Sequence, residues 1–195
     1  MTLPAEDADH AAMTRLRDGD DLALNEIMDR WQRRVTSFLL RMTGNEAVAV
    51  DLAQETFVRA YQSRERFRPK GEFSTWLFTI AANLGRQHFR WQGRHPAISL
   101  DAGGDDEQAI GDRLAATGGD PSEQVEAEER AAVVRDAVMA LSPELREAVI
   151  LSEYEDLSYQ QIAEISGCTP KAVETRLYRA RSLLRERLSK FLKIV

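Results

Sequence analysis

The sequence predicts an all-α fold of two small helical domains joined by a flexible acidic linker, with a helix-turn-helix in the second domain. Apolar residues recur at steps of three and four through residues 24–42, 49–61 and 77–84, and again after residue 131. This spacing is typical of amphipathic helices. No alternation typical of β-strands runs for a useful length, so helices are the regular structure that we expect.

The helical pattern disappears after His95, in a stretch where glycines and acidic residues predominate. Such a composition is typical of a flexible linker rather than of a packed element. We therefore predict a first domain at 1–95, a linker at 96–122 and a second domain at 123–195.

The charge is distributed unevenly along the 195 residues, whose net charge is −6. Residues 96–129 carry ten acidic side chains and one basic side chain, whereas residues 171–193 carry eight basic and two acidic ones. The acidity therefore lies in the middle of the chain, and a segment with a net charge of +6 lies near its end. A basic segment of this kind favours an anionic partner.

Several classes of protein are excluded by what the sequence lacks. No apolar run is long enough to span a bilayer, and the first residues lack the basic start and apolar stretch of a signal peptide, so we expect no membrane insertion and a cytoplasmic location. The single Cys168 excludes an intramolecular disulfide. No metal site, cofactor or catalytic residue is expected, because no nucleophile motif or phosphate-binding glycine loop occurs and the spacing of His10, His88, His95 and Cys168 fits no metal site.

A helix-turn-helix is predicted at residues 157–181. Ser158 begins the first helix, and Gln161 three residues later completes a capping box. Gly167 supplies the turn, and Thr169 caps a second helix that has proline in its first turn.

The second helix of this motif has two different faces. An apolar stripe faces the core, and the opposite side carries polar and basic residues, which is the division that a DNA-recognition helix needs. The expected core residues are Val173, Leu177, Ala180 and Leu184, and the residues expected to contact DNA are Lys171, Thr175, Arg176, Tyr178 and Arg179. The alternative is an ordinary helical hairpin with a charged solvent face, which the net charge of +6 disfavours.

The first domain carries a second candidate face. We expect helices that end at Gly44, begin at Asn45 and begin at Ser74, with a basic loop at 62–73. On the last of these helices a polar stripe combines one indole, one amide and guanidinium groups, which suits a single-stranded nucleic acid. Its residues are Trp76, Thr79, Asn83, Arg86 and Arg90. Alternatively, Trp76 is a core aromatic residue and the arginines are solvated.

Three segments together resemble the signature segments of bacterial extracytoplasmic-function sigma factors of the sigma-70 family. They are Asp-Leu-Ala-Gln-Glu-Thr-Phe-Val-Arg-Ala-Tyr at 51–61, Phe-Ser-Thr-Trp-Leu-Phe-Thr-Ile-Ala-Ala-Asn at 73–83, and the helix-turn-helix. The order of the segments and the linker between them also match, so the resemblance covers nearly the whole chain. It departs from the family pattern at Thr79 and Glu174, where basic residues are common.

The resemblance implies a set of partners and roles: core RNA polymerase, promoter DNA and an anti-sigma factor. The residues that match the polymerase-binding helix are Asp51, Gln54 and Glu55; those that match the −10 element contacts are Arg66, Arg68, Lys70, Trp76, Asn83, Arg86 and Arg90; and those that match the −35 recognition helix are Lys171, Thr175, Arg176, Tyr178 and Arg179. Two alternatives stay open at this point: a helix-turn-helix regulator that is not a polymerase subunit, and a helical adaptor that binds only proteins.

Overall fold

The computed structural model describes residues 5–68, 71–94 and 121–192, and every regular element within these ranges is helical. The helices are α1 Ala5–Arg17, α2 Ala23–Thr43, α3 Glu46–Gln62, a 3₁₀ turn Arg64–Arg66, α4 Phe73–Arg94, α5 Pro121–Met139, α6 Pro143–Glu153, α7 Tyr159–Ser166 and α8 Pro170–Leu192. We call α1–α4 the N-terminal domain and α5–α8 the C-terminal domain. The prediction of an all-α fold is confirmed over the described ranges. In the same ranges, no helix has both the length and the apolar character that crossing a bilayer requires.

Aromatic rings form the centre of the N-terminal domain. Trp31 of α2 lies between two rings of α4, with its centroid 5.5 Å from that of Phe73 and 6.1 Å from that of Phe78. Phe38 packs edge-on against Phe78 at 5.3 Å, and both side chains are fully buried. Because each buried phenylalanine contributes roughly 1.5–3 kcal/mol, this cluster fixes how α4 crosses α2.

Local sequence signals place the junction of α2 and α3. Gly44 has a φ of +69° and donates its N–H to the carbonyl of Leu40, which ends α2. A left-handed residue at this position is most favourable when it is glycine. Asn45 then accepts the Val48 N–H at 3.0 Å and begins α3. Both boundaries agree with the sequence prediction.

The helix-turn-helix also forms as predicted. Ser158 and Gln161 make a complete capping box, in which each side chain accepts the other residue's backbone N–H. Gly167 follows α7 with a φ of +62°. Thr169 Oγ1 accepts the Ala172 N–H at 3.2 Å and caps α8.

One predicted helix start is wrong. The α4 helix begins at Phe73 and not at Ser74. The Phe73 side chain is fully buried, so the first turn of α4 packs in the core. The α6 helix has Ser142 at its N-cap and Pro143 in its first turn, and the Ser142 side chain makes no capping hydrogen bond.

The α5 helix begins before the apolar pattern that the sequence shows after residue 131. Of the predicted linker at 96–122, the part up to residue 120 lies outside the described residues, and α5 begins at Pro121. Residues 121–130 are mainly strong helix formers with proline in the first position, but they lack an apolar stripe. Residues 127–130 are exposed, so they make no core contact that would require an apolar pattern in the sequence.

The two domains pack against each other, with α4 on α7 and α2 on α5 and α6. Arg146 of α6 is buried between them. Its guanidinium donates to the carbonyl of Met42 at the end of α2, and to the carbonyls of Met139 and Leu141 in its own domain. The last carbonyls of a helix have no donor within the helix, so this cation satisfies groups that would otherwise be buried without partners. Burial lowers the pKa of Arg146.

Candidate nucleic-acid interfaces

The α8 helix presents a polar face directly opposite its buried stripe. Val173, Leu177 and Ala180 are fully buried, whereas Tyr178 is 76% exposed. An open groove runs along this face toward the start of α7. It is lined by Tyr159, Lys171, Glu174, Thr175, Tyr178, Arg181, Ser182 and Arg185. The face therefore combines one aromatic ring, hydroxyl groups and several cations at the surface of the helix-turn-helix.

Some of the charges on this face are already paired within the chain. Lys171 Nζ lies 2.7 Å from a carboxylate oxygen of Glu174, and both side chains are largely exposed. Arg181 pairs with Glu153 at 2.7 Å, and this hydrogen bond raises the pKa of Arg181. Exposed pairs of this kind contribute little to stability, about 0–1 kcal/mol, and an incoming phosphate can replace them.

Arg176 does not share this exposed face. Its Nη1 lies 3.7 Å from Cys168 Sγ in the turn, and its Nη2 lies 3.5 Å from a carboxylate oxygen of Glu144. The position of residue 176 on α8 is at the edge of the buried stripe, and its side chain is only 24% exposed. Of the five residues predicted on the recognition helix, the structure thus groups four at the surface and places Arg176 beside the turn.

The stripe predicted on α4 is divided by its contacts. Trp76 is half-buried, and its ring centroid lies 5.2 Å from that of Phe67 and 5.8 Å from that of Phe73. The indole therefore belongs partly to the core, as the alternative interpretation held. Asn83 and Arg90 are exposed.

Arg86 is held by the C-terminal domain. Its Nη1 donates to both carboxylate oxygens of Glu147 at 2.6 and 2.7 Å. Its Nη2 donates to Asn83 Oδ1 at 2.7 Å and to the Ile165 carbonyl at 3.1 Å. Glu147 is buried and also accepts the Ser166 hydroxyl at 2.7 Å. The candidate single-strand face is therefore covered at Arg86 in this arrangement.

The basic loop after α3 is anchored by one apolar residue. Phe67 is only 5% exposed, whereas Arg66 and Arg68 on either side of it are exposed. Lys70 lies outside the described residues. Glu72 accepts a hydrogen bond from the side chain of Gln161 in α7, which gives the loop a contact with the helix-turn-helix.

The α3 helix presents an acidic and amide face. Asp51 and Gln54 are exposed, and Glu55 pairs with Arg59 at 2.7 Å. Val58 is 48% exposed on the same helix. Carboxylates repel a phosphate backbone, and an exposed valine suits a protein surface, so this face is chemically different from the two basic ones.

Sequence reasoning missed the charged residues that join the domains. Arg34 donates to Glu155 at 3.0 Å across the interface, and Arg41 lies 4.2 Å from the ring of Tyr154. Burial raises the pKa of Glu155, and Arg34 opposes that shift. The sequence did hold a signal for other charged residues at this interface, since Arg146 and Glu147 interrupt an apolar segment of α6.

The fold and these faces define a helical two-domain protein of the helix-turn-helix type. Residues 27–95 match Sigma-70 region 2, and residues 131–184 match Sigma-70 region 4. The chain is 33% identical over 184 residues to the ECF RNA polymerase sigma-E factor of Haemophilus influenzae, with 92% of this chain and 95% of the relative covered. It is 38% identical over 177 residues to the RNA polymerase sigma factor CarQ of Myxococcus xanthus, with 90% and 95% covered. The chain therefore belongs to the extracytoplasmic-function (ECF) RNA polymerase sigma factors.

Solved structures agree with this family. The sigma factor RpoE of Bartonella quintana, in complex with the anti-sigma factor NepR, aligns with a TM-score of 0.65 at 27% identity, covering 85% of this chain and 96% of that one. CnrH in complex with the cytosolic domain of CnrY aligns with a TM-score of 0.69 at 23% identity, covering 94% and 98%, and shows the same fold. These findings support a sigma factor over a helix-turn-helix regulator that is not a polymerase subunit.

Proposed function

We propose that this sigma factor binds core RNA polymerase through α3 and contacts two promoter elements, one with each domain. The observation that carries this proposal is the presence of three faces of different chemistry on α3, α4 and α8. We infer that it acts in the cytoplasm, where polymerase and promoters are, and that the polymerase core supplies all the catalysis.

The polymerase contact is assigned to Asp51, Gln54 and Glu55. The first two are exposed on α3, and Glu55 is partly exposed beside Arg59. Carboxylate and amide groups beside an exposed valine form a surface that suits a protein partner with basic and apolar groups.

The −35 contact is assigned to the first turns of α8, where Lys171, Thr175 and Tyr178 line the groove. The N-terminal part of a recognition helix enters the major groove, so these residues face base edges while Arg179 follows the phosphate backbone. Arg176 joins the base contacts once it leaves Glu144.

The −10 contact is assigned to the loop and the exposed side of α4. Arg66, Arg68 and Lys70 attract the displaced strand, and Trp76, Asn83, Arg86 and Arg90 hold it along the helix. Because Arg86 is paired with Glu147, the proposal requires the two domains to separate when the chain engages polymerase and promoter.

An anti-sigma factor is the proposed negative regulator. This rests on the Bartonella quintana structure, in which a sigma factor of similar fold is bound to the anti-sigma factor NepR. We propose that such a partner holds the two domains close together, because the −10 face is covered in that state.

The decisive experiment is reconstitution with purified core RNA polymerase. We expect the chain to bind core stoichiometrically and to direct run-off transcription from a subset of promoters in a randomised library. Asp51→Lys should abolish core binding, whereas Glu128→Lys, at an exposed position on α5, should not. Failure of the wild-type chain to bind core would refute the proposed function.

A further inference from the structure

The α1 helix lies outside both segments that match the family, which are 27–95 and 131–184. It packs on α2 and also contacts the 3₁₀ turn and α4. The 3₁₀ turn lies within the basic loop at 62–73, to which the −10 contact is assigned, and α4 begins where that loop ends. The position of α1 therefore bears on how that loop is held.

Asp9 anchors α1 to α2. Its carboxylate is 1% exposed and accepts hydrogen bonds from Arg30 Nε at 2.7 Å and from Trp31 Nε1 at 2.9 Å. Bonds between a buried carboxylate and two nitrogen donors fix both the position and the rotation of the helix. The position of the next residue along α1, His10, is therefore fixed as well.

That next residue, His10, contacts two residues of the loop, Phe67 and Gly71. Its Nε2 lies 3.0 Å from the carbonyl oxygen of Gly71, and since a carbonyl can only accept, Nε2 carries the proton. The imidazole ring also lies 5.4 Å from the ring of Phe67. The Gly71 N–H itself donates to the carbonyl of Arg68 at 3.1 Å.

We propose that His10 is a positioning residue for −10 recognition, because its contacts with Phe67 and Gly71 set where the exposed cations beside Phe67, Arg66 and Arg68, meet the promoter strand. Phe67 in turn packs on Trp76, so the same contact also sets the place of the indole on α4. The inference rests on the assignment of this loop to the −10 element. His10 itself contacts no DNA.

The test uses the full chain bound to core RNA polymerase, on a promoter that the wild-type holoenzyme selects from a randomised library. Permanganate reactivity of −10 thymines measures strand opening, and transcription from single-base variants measures base preference. His10→Ala removes the donor and the ring, whereas His10→Gln keeps an N–H that can reach Gly71. Thr14→Ala is the matched control, because this exposed residue lies one turn further along α1 and its hydroxyl donates to a carbonyl of the same helix.

We expect His10→Ala to reduce opening by roughly 3- to 10-fold and to flatten the base preference at −10, as the loss of one ordering hydrogen bond predicts. Core affinity, the −35 preference and the thermal unfolding midpoint should stay near wild type, and His10→Gln should restore most of the −10 preference. An unchanged −10 preference in His10→Ala, or an equal loss in Thr14→Ala, would overturn the positioning role. If the wild-type holoenzyme itself showed no −10 base preference, the assignment of the loop to the −10 element would fail instead.

Discussion

The two faces assigned to promoter DNA differ in whether their side chains are already bound by other parts of the folded chain. On α8, Tyr178 and Lys171 lie at the surface, and Glu174, which pairs with Lys171, is itself exposed. On α4, Arg86 is bound by a buried carboxylate and a backbone carbonyl of the other domain. The −35 face is therefore open in this arrangement, and the −10 face is covered at Arg86.

The chemistry of the contacts that cover Arg86 explains why we expect them to compete with DNA. Glu147 presents two oxygens to one guanidinium nitrogen, and Ile165 adds a third oxygen beside them. A guanidinium binds carboxylate and phosphate oxygens with similar geometry. Glu147 therefore occupies Arg86 in the way that a phosphate of the promoter strand would.

Loss of Arg86 should have the largest effect on promoter opening. Arg86→Ala removes the proposed charged contacts with the −10 strand, and we expect opening to fall by about 3 kcal/mol, or roughly a hundredfold. Permanganate footprinting of the holoenzyme measures this. Gln87→Ala changes an exposed neighbour on α4 and should leave opening intact. Normal opening in Arg86→Ala would remove this residue from the −10 contact.

Loss of the competing carboxylate should have the opposite result. Glu147→Gln weakens the closed arrangement by about 2 kcal/mol, because the partly buried Arg86 loses its counter-charge. The free chain should then show a larger radius of gyration in solution scattering and bind a −10 single-stranded oligonucleotide more tightly than wild type. Glu164→Gln, an exposed acid on α7, is the control. A wild-type radius and affinity in Glu147→Gln would show that the Glu147 pair does not hold the domains together.

The local features of the fold could be predicted from the sequence because their causes lie within a few residues. Gly44 and Gly167 need left-handed backbone, and Ser158 with Gln161 forms its capping box within one turn. The apolar stripe of α8 follows directly from helical spacing. Each of these predictions is confirmed by the backbone and burial of the described residues.

The contacts that cover the −10 face could not be predicted in the same way. Arg86 and Glu147 are 61 residues apart, and nothing in the local pattern of either one indicates the other. Arg176 shows a related limit. Helical spacing predicted its position on α8 but did not predict that its side chain points toward Cys168 and Glu144. Side-chain type predicts the chemistry available, whereas the partner depends on how distant helices pack.

On the open face, Tyr178→Ala should weaken −35 recognition without altering the fold. The ring is 76% exposed, so the free energy of unfolding should change by less than about 0.5 kcal/mol. We expect a loss of about 1–2 kcal/mol on the selected −35 sequence and a smaller loss on a scrambled one. Transcription from the two templates measures both values. Equal losses would assign Tyr178 to the backbone instead of the bases.

The second ion pair between the domains should make stability depend on pH. Burial raises the pKa of Glu155, so the folded chain binds this proton more tightly than the unfolded chain does. Its contribution to the free energy of unfolding therefore rises as pH falls through the folded-state pKa, and is complete below the ordinary glutamate value. Glu155→Gln imitates the protonated form and should equal or exceed wild-type stability at pH 7 by up to about 1 kcal/mol.

Denaturant unfolding of both chains from pH 7 downward tests this sign. The difference between Glu155→Gln and wild type should shrink as the pH falls, because the wild-type carboxylate becomes neutral as well. If Glu155→Gln were instead clearly less stable at pH 7, the attraction of Arg34 would outweigh the burial of the charge.

The smallest expected effect concerns Arg176, which is only partly exposed on α8. Arg176 is held from the exposed face of α8 by Glu144, a carboxylate that is itself 73% exposed. Such a pair is worth about 0.2–1 kcal/mol, so Glu144→Gln should strengthen −35 binding by no more than about fivefold. Glu128→Gln makes the same change of charge at an exposed site on α5 and should have a weaker effect. The double variant Glu144→Gln with Arg176→Ala separates the release of Arg176 from general electrostatics. If Glu144→Gln acts by releasing Arg176, it gives no gain in −35 binding when residue 176 is alanine. A gain that persists in the double variant would mean that Glu144 acts on DNA by repulsion alone, and that Arg176 stays beside the turn when the promoter binds.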